Sequence, residues 1–318
     1  MSNNFHGVAS KLSGLKGKDF LSSSDLTSEQ TFALLELATQ LKSGERRIDL
    51  GNRVLGLIFT KASTRTRVSF QVAMARLGGQ TIDLNPQVTQ LGRGEPIEDT
   101  ARVLSRFCDA LAVRTYEQNE LIGYGNWSSI PVINALTDLE HPCQALADFM
   151  TVQECFGGLK GKTLAYIGDG NNVAHSLMLC GSLLGVNIRI AIPKGFEPSK
   201  SILNKATCLS NFGSRIELTN NPIDAANGAD VLYTDVWASM GQEDEKHKRE
   251  EAFKGFSIDE SLLSNANEEA IVLHCLPAHR GQEISATTME GSQSRIFDQA
   301  ENRLHVQQAL LAALLGGL

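Results

Sequence analysis

The stretch from Leu57 to Leu77, LIFTKASTRTRVSFQVAMARL, constrains this chain more than any other. The apolar run Val54–Phe59 predicts a buried strand, a short hydroxyl-rich turn comes next, and then a helix begins. In that helix Phe70, Met74 and Leu77 fall at i, i+4, i+7, with Val68 and Val72 as a second apolar row. Lys61, Arg65 and Arg67 crowd the helix start. A helix N-terminus already carries about half a positive charge and unpaired N–H groups, so cations there oppose the dipole. A bound anion resolves the conflict, and Ser63, Thr64 and Thr66 add hydroxyl donors to the same turn. A solvated basic helix start is the plainer alternative. The P-loop pattern, with its paired glycines and following lysine, is missing.

A strand–helix alternation runs through the whole chain. Strands are predicted at Val54–Phe59, Thr81–Leu84, Ala110–Val113 and Val132–Ala135, with helices over Thr66–Leu77, Ile97–Phe107, Glu117–Gly123 and Pro142–Cys155. An earlier helix is expected over Ser28–Lys42, capped by Ser24, Asp25 or Thr27. After the loop Phe156–Gly161 the plan resumes, with strands at Thr163–Ile167, Ile188–Ile192, Ile216–Leu218, Val231–Thr234 and Ile271–His274. Such spacing predicts an α/β protein of two doubly wound lobes, each a parallel β-sheet flanked by helices, with the active site in a cleft between them. The expected domains are residues 1–156 and 157–297, with a C-terminal helix over 298–318 packing back on the first.

Length and charge narrow the function. A chain of 318 residues accommodates two domains. Its net charge of -7 argues against nucleic acid or an anionic membrane as partner, so any anion site is a local positive pocket. The N-terminus shows no apolar signal core, and the apolar run Val306–Leu318 is too short for a bilayer span. Six cysteines without a CxxC pair predict a reduced, cytoplasmic protein without structural zinc.

The remaining chemistry sits just after predicted strands, where ligands bind in such sheets. Arg114 is a guanidinium at a strand end, suited either to an oxyanion or to a structural ion pair. His141 precedes Pro142 at a helix start, as a cap or as a donor to a carbonyl oxygen. Gly168-Asp169-Gly170-Asn171-Asn172-Val173 resembles a dinucleotide turn, but Val173 replaces the third glycine and no acidic ribose partner stands after it. Asn171 and Asn172 are either turn asparagines or amide donors to a small carboxylate. Asp235 opens Asp235–Gly241, a segment suited to gripping an ammonium group, and the charge run after it predicts a solvated helix face. Cys275 ends the last strand, as a packed thiol or a functional one, and the Leu276–Pro277 bond is a candidate for cis.

Taken together, FTKASTRTR at 59–67, TQLGRGE at 89–95, HPCQ at 141–144, GDGNNVAHS at 168–176, DVWASMGQE at 235–243, HCLPAHRG at 274–281 and AENR at 300–303 resemble the transcarbamoylase family, in family order and over nearly the whole chain. The DxxxSMG and HCLP pair resembles the branch that acts on ornithine. The resemblance implies conversion of carbamoyl phosphate and L-ornithine to L-citrulline and phosphate, in arginine biosynthesis, without cofactor or metal. It implies that Ser63, Thr64, Arg65, Thr66 and Arg303 hold the phosphate, and that Arg114, His141 and Thr66 polarise the carbamoyl oxygen. Gln144 contacts the carbamoyl amide, and Cys275 and Leu276 lie beside the reacting groups. Asn172, Asp235, Ser239 and Met240 hold ornithine. Gln90 reaches a neighbouring subunit's site, which implies a homotrimer or a multiple of one. Cys143 occupies a variable position and receives no role. Arg114, His141, Asp235 and Cys275 are the expected catalytic set, with Cys275 and Asp235 tuning the amine rather than forming a covalent intermediate. The rival readings are transfer to aspartate, N-acetylornithine or putrescine, a nicotinamide-dependent dehydrogenase, and a non-catalytic binding module.

Overall fold

The computed structural model describes residues 2–85, 94–238 and 245–318. They form two compact units, residues 1–150 with 302–318, and residues 151–301.

The first unit opens with helices α1 (Ser2–Leu12) and α2 (Ser28–Ser43), then alternates β1 (Val54–Phe59), α3 (Arg65–Arg76), β2 (Gln80–Leu84), α4 (Ile97–Leu104), β3 (Ala110–Arg114), α5 (Gln118–Trp127), β4 (Val132–Leu136) and the start of α6 (Pro142–Phe156), whose residues from Thr151 on belong to the second unit. Thr27 caps α2 in a reciprocal box, its hydroxyl accepting from Gln30 N while Gln30 Oε1 accepts from Thr27 N. All four strands are parallel, in the order β2-β1-β3-β4. The inner strands are buried on both faces, which is why β1 and β3 read as continuous apolar runs while edge strand β2 does not. Strand order turns at β1, whose neighbours are β2 and β3. The gap between the carboxyl ends of β1 and β3 is therefore this sheet's topological switch point. Thr60 secures it, its N–H and hydroxyl both donating to the Arg114 carbonyl at 3.0 and 3.1 Å.

The second unit carries β5 (Thr163–Ile167), α7 (Asn172–Leu184), β6 (Asn187–Ala191), α8 (Lys200–Cys208), β7 (Ile216–Thr219), α9 (Pro222–Ala226), β8 (Val231–Thr234), α10 (Lys246–Ala252), α11 (Glu260–Leu263), β9 (Ile271–His274) and α12 (Ala286–Met289). Its five parallel strands run β7-β6-β5-β8-β9, so the switch point lies between β5 and β8. Helix α7 is buried from Val173 to Leu184 and is apolar on nearly every side. The last helix, α13 (Ile296–Leu315), starts in the second unit's residues and continues into the first unit's. The unit limits fall at 150/151 and 301/302, where the sequence expectation had 156/157 and 297/298.

Three local expectations need correcting. Helix α4 stops at Leu104, and Arg106, Phe107 and Cys108 close it in tight turns. The second apolar row of α3 is not packed, with Val68 50% and Val72 36% exposed. The charge run after Asp235 is not a wholly solvated face, because Arg249 of α10 is buried against Asp169.

Candidate active site

In the first unit the key side chains come from four elements. Helix α3 begins at Arg65 with Thr64 at its cap position, and the Thr64 side chain makes no capping hydrogen bond. Its N-terminus therefore presents donors and a positive dipole end. Arg303, a buried residue of α13, donates to the buried Thr66 hydroxyl at 2.6 Å. Arg114, at the tip of β3, lies with Nη1 3.4 Å from Ser63 Oγ. His141 directly precedes α6, its carbonyl accepting from Gln144 N and Ala145 N. Glu140 holds this approach. Its buried carboxylate accepts from Ser22 Oγ at 2.5 Å and Ser23 N at 3.0 Å. Gln144, one turn on, donates to Asp148 Oδ1 at 2.8 Å, leaving Oε1 buried without a hydrogen-bond partner among the described residues.

The electrostatics of this cluster are those of like charges drawn together. Burial, then Arg303 and Arg65, pull Arg114 down from the ordinary arginine range to about 10. Burial, then Arg303, Arg114 and Arg65, hold His141 well below the ordinary imidazole range. At neutral pH His141 is a neutral ring facing three guanidinium groups, and a proton on it is opposed by each of them. Fixed donors and concentrated positive charge at a helix start suit a dianion such as a phosphate. Two further cations of the motif face elsewhere. Arg67 pairs with Asp83 at 3.2 Å, and Lys61 Nζ lies 3.5 Å from the centre of the Tyr116 ring. Cys143 is buried, donates to the Asn134 carbonyl at 3.5 Å, and is pushed up to about 12 by burial, as expected of a packed thiol.

In the second unit the polar residues meet at the β5/β8 switch point. Asn171 caps α7, its Oδ1 accepting from Val173 N and Ala174 N at 3.0 and 3.2 Å. The same oxygen accepts from the buried Tyr166 hydroxyl at 3.2 Å. Its amide then donates to Asp235 Oδ2 at 2.8 Å. Asp235 Oδ1 accepts from Val236 N at 2.8 Å and from the Cys275 thiol at 3.0 Å. In this pair the thiol donates and the carboxylate accepts. Leu276 holds φ at 59° before a cis bond to Pro277, with its N–H donated to His274 Nδ1 at 2.8 Å.

Two cofactor readings can be weighed on this geometry. Ligand atoms of Asp235, His274 and Cys275 lie within 4.8 Å of one another. Both ring nitrogens of His274 are engaged, Nδ1 by Leu276 N and Nε2 by Glu283 at 3.0 Å, so a cation there would have to displace a bond that fixes Leu276. The glycine turn is also filled by its own chain. Gly170 donates to the Phe196 carbonyl at 3.0 Å, and a Cβ there would lie 2.3 Å from the Pro198 backbone nitrogen. In a dinucleotide turn that close approach belongs to the pyrophosphate, so the structure weighs against the dehydrogenase reading.

The structure thus gathers Ser63, Thr66, Arg114, His141 and Arg303, with Arg65 acting electrostatically, and separately gathers Asp235 and Cys275. Asn172 is half-buried at the first position of α7. Thr64, at the cap of α3, is exposed. Gln90, Ser239 and Met240 lie outside the described residues.

Comparison with known proteins places the chain in a family. Residues 18–154 match the family description "Aspartate/ornithine carbamoyltransferase, carbamoyl-P binding domain", and residues 160–314 match "Aspartate/ornithine carbamoyltransferase, Asp/Orn binding domain". The chain belongs to the aspartate/ornithine carbamoyltransferase family. It is 72% identical over 318 residues to an ornithine carbamoyltransferase of Prochlorococcus marinus, covering 100% of both chains. The ornithine carbamoyltransferase structure from Gloeobacter violaceus superposes with a TM-score of 0.87 at 52% identity, covering 95% of this chain and 99% of that one. That from Pyrococcus furiosus gives 0.91 at 46% identity, covering 96% and 99%.

Sequence reasoning left Thr60, Glu140, Asp169 and Arg249 without roles, and it kept Asn171 open between turn and donor. Asn171 had a readable signal, since asparagine before an apolar helical run is a favoured cap. The others work through partners far along the chain, which no local pattern announces.

Proposed function

We propose that this chain is an ornithine carbamoyltransferase, transferring the carbamoyl group of carbamoyl phosphate to the side-chain amine of L-ornithine to give L-citrulline and phosphate. One observation carries the reading: Arg303 donates to Thr66 and Arg114 approaches Ser63 at the N-terminus of α3, concentrating cationic donors there beside a buried His141. Attack of a neutral amine on the carbamoyl carbon builds negative charge on the carbonyl oxygen, and the departing phosphate gains charge as its bond breaks. Preorganised cations and N–H groups aimed at both stabilise that change, typically by about 3 kcal/mol per donor.

In this reading Ser63, Thr64, Arg65, Thr66 and Arg303 hold the phosphate. Arg114 and His141, with Thr66, polarise the carbonyl. His141 donates a hydrogen bond as a neutral ring, which burial enforces first and the surrounding guanidinium groups second. Gln144 takes the carbamoyl amide, its buried Oε1 being the acceptor that an NH2 group requires. Asn172, Asp235, Ser239 and Met240 hold ornithine. The ornithine side-chain amine starts protonated near neutral pH, as a lysine-like amine does; it gives up that proton to solvent before attack, and the second proton lost on forming the C–N bond leaves with the departing phosphate. Asp235 and Cys275 orient it and Leu276 lies beside it. The Cys275 proton, donated to Asp235, favours this positioning role over covalent catalysis.

The assay is carbamoyl transfer from carbamoyl phosphate to ornithine, N-acetylornithine, putrescine and aspartate in turn. Citrulline formed with ornithine and no comparable product from the other three is expected. Preference for another amine, or no transfer at all, overturns the assignment. Carbamoyl phosphate is an activated mixed anhydride, which favours the synthetic direction and a place in arginine biosynthesis. A homotrimer completed by Gln90 from a neighbour is supported by the uncovered apolar row of Val68 and Val72, with Ile82 on edge strand β2 also 46% exposed. Light scattering should give three times 34.5 kDa or a multiple of it. Six free cysteines support a reducing, cytoplasmic setting. Among the described residues no helix is long and apolar enough to cross a membrane.

A further inference from the structure

Arg249 lies outside the motif that ends at Glu243, yet its surroundings are those of a built site. Its side chain and that of Asp169 are both buried, 7% and 8% exposed. Nη1 donates to Asp169 Oδ2 at 2.7 Å and to the Trp237 carbonyl at 2.9 Å. Nε reaches Glu245 Oε2 at 3.3 Å, and the guanidinium lies 4.9 Å from the centre of the Phe196 ring. Asp169 opens the turn that ends in Asn171, its carbonyl accepting from Asn171 N at 2.7 Å. Trp237 stands two residues after Asp235. One guanidinium therefore ties together the two strand-end segments whose tips meet in the Asn171–Asp235 hydrogen bond.

We propose that Arg249 is a positioning residue for the amino-acid substrate: by bracing the Asp169 turn against the Trp237 carbonyl, it sets the placement of Asp235 opposite Asn171. The inference rests on the functional reading above and extends it to a residue that touches neither substrate nor reacting atoms. The planar fork meets three acceptors from different segments at once, Nη1 taking Asp169 and the Trp237 carbonyl while Nε takes Glu245, whereas a lysine offers a point charge. Stability alone is a weak reason for such a pair, since a buried ion pair often contributes no more than an apolar replacement of similar volume. Asp169 also lies near a second carboxylate. Burial raises its pKa, Arg249 draws it back, and the charge of Asp235 raises it again. Without Arg249, the two acids at the switch point repel one another directly.

The test is steady-state kinetics of the full-length protein with both substrates varied, for Arg249→Met, Arg249→Lys and Asp169→Asn. Arg249→Met should raise KM for ornithine at least tenfold while KM for carbamoyl phosphate stays within twofold. Arg249→Lys should recover part of that loss, and Asp169→Asn should add little when combined with Arg249→Met, because both remove one brace. The thermal shift produced by carbamoyl phosphate should persist in each variant, reporting an intact first unit. An unchanged ornithine KM in a folded Arg249→Met protein overturns the proposal. So does a fall in kcat with both KM values unchanged, or a loss that tracks melting temperature alone. Should Arg249→Met fail to fold, Arg249→Lys and Asp169→Asn decide on the same criteria. Absence of transfer to ornithine in the unmodified protein refutes the functional reading instead, so the two failures are separable.

Discussion

Replacing Arg114 by methionine should make the ligand-free protein more stable while removing its activity. Arg114 is 7% exposed and is pulled to about 10 by burial and by its cationic neighbours. A pKa two to three pH units below the ordinary arginine value corresponds to ~3 kcal/mol at ~1.36 kcal/mol per unit. The sign comes from protonation. Guanidinium is charged in folded and unfolded chains alike at pH 7.5, so the folded state bears the whole penalty there, and the penalty fades only as pH rises through about 10. Methionine fills similar space without charge, at the loss of the guanidinium's polar contacts, the 3.4 Å approach to Ser63 among them. After allowance for imperfect packing, a net gain of ~1–2 kcal/mol is expected. In a unit of this size that is roughly 2–8 °C in melting temperature. Calorimetry without ligand and carbamoyl transfer to ornithine measure the two halves. Turnover should fall by about a hundredfold or more. Carbamoyl phosphate at a hundred times its Kd should stabilise the unmodified protein by ~2.7 kcal/mol and the variant far less. A variant destabilised by more than about 1 kcal/mol, or one retaining most of its activity, refutes the electrostatic reasoning.

The other predictions concern single contacts. His141 is held far below the ordinary imidazole range, so between that range and its own lower pKa the unfolded chain binds a proton that the folded chain does not. Stability should therefore rise with pH through this window by up to ~1.4 kcal/mol per unit, and His141→Asn should flatten the slope measured by urea unfolding at pH 5 to 7. Glu140→Ala strips a buried acceptor from Ser22 and Ser23 and should cost roughly 3 kcal/mol in the same measurement, with activity falling as the approach to His141 loosens. Asn171→Ala removes a helix cap worth about 1 kcal/mol and the partner of Asp235, so KM for ornithine should rise while KM for carbamoyl phosphate holds. Cys275→Ser keeps a donor for Asp235 and should retain more activity than Cys275→Ala; equal loss in both would point away from the hydrogen bond at 3.0 Å.

Much of the scaffold was legible because its inner strands are parallel and buried on both faces. Such strands must be apolar along their length, so Val54–Phe59 and Val231–Thr234 announce themselves. The turns leaving those strands were equally legible, since a strand-to-helix turn rich in charge or amide conflicts with burial and stands out. The first helix, Ser2–Leu12, was not legible, because its composition does not distinguish it from a polar leader. Arg249 was misread for a related reason. It sits in a run of charges, and only its contact with Asp169, 80 residues away, removes it from solvent.

Local pattern alone set the alternation of strands and helices, the cationic start of α3, and the placement of chemistry at strand ends, because periodicity and local charge act over a few residues. Strand order was another matter. That β1 lies between β2 and β3, and β5 between β6 and β8, comes from how the helices pack on the sheets, and no local period encodes it. Those orders create the two switch points, bringing Ser63 beside Arg114 and Asn171 beside Asp235. Only the folded chain could bring Arg303 of the last helix to Thr66, 237 positions earlier, and so turn a helix with too much positive charge into a pocket for an anion.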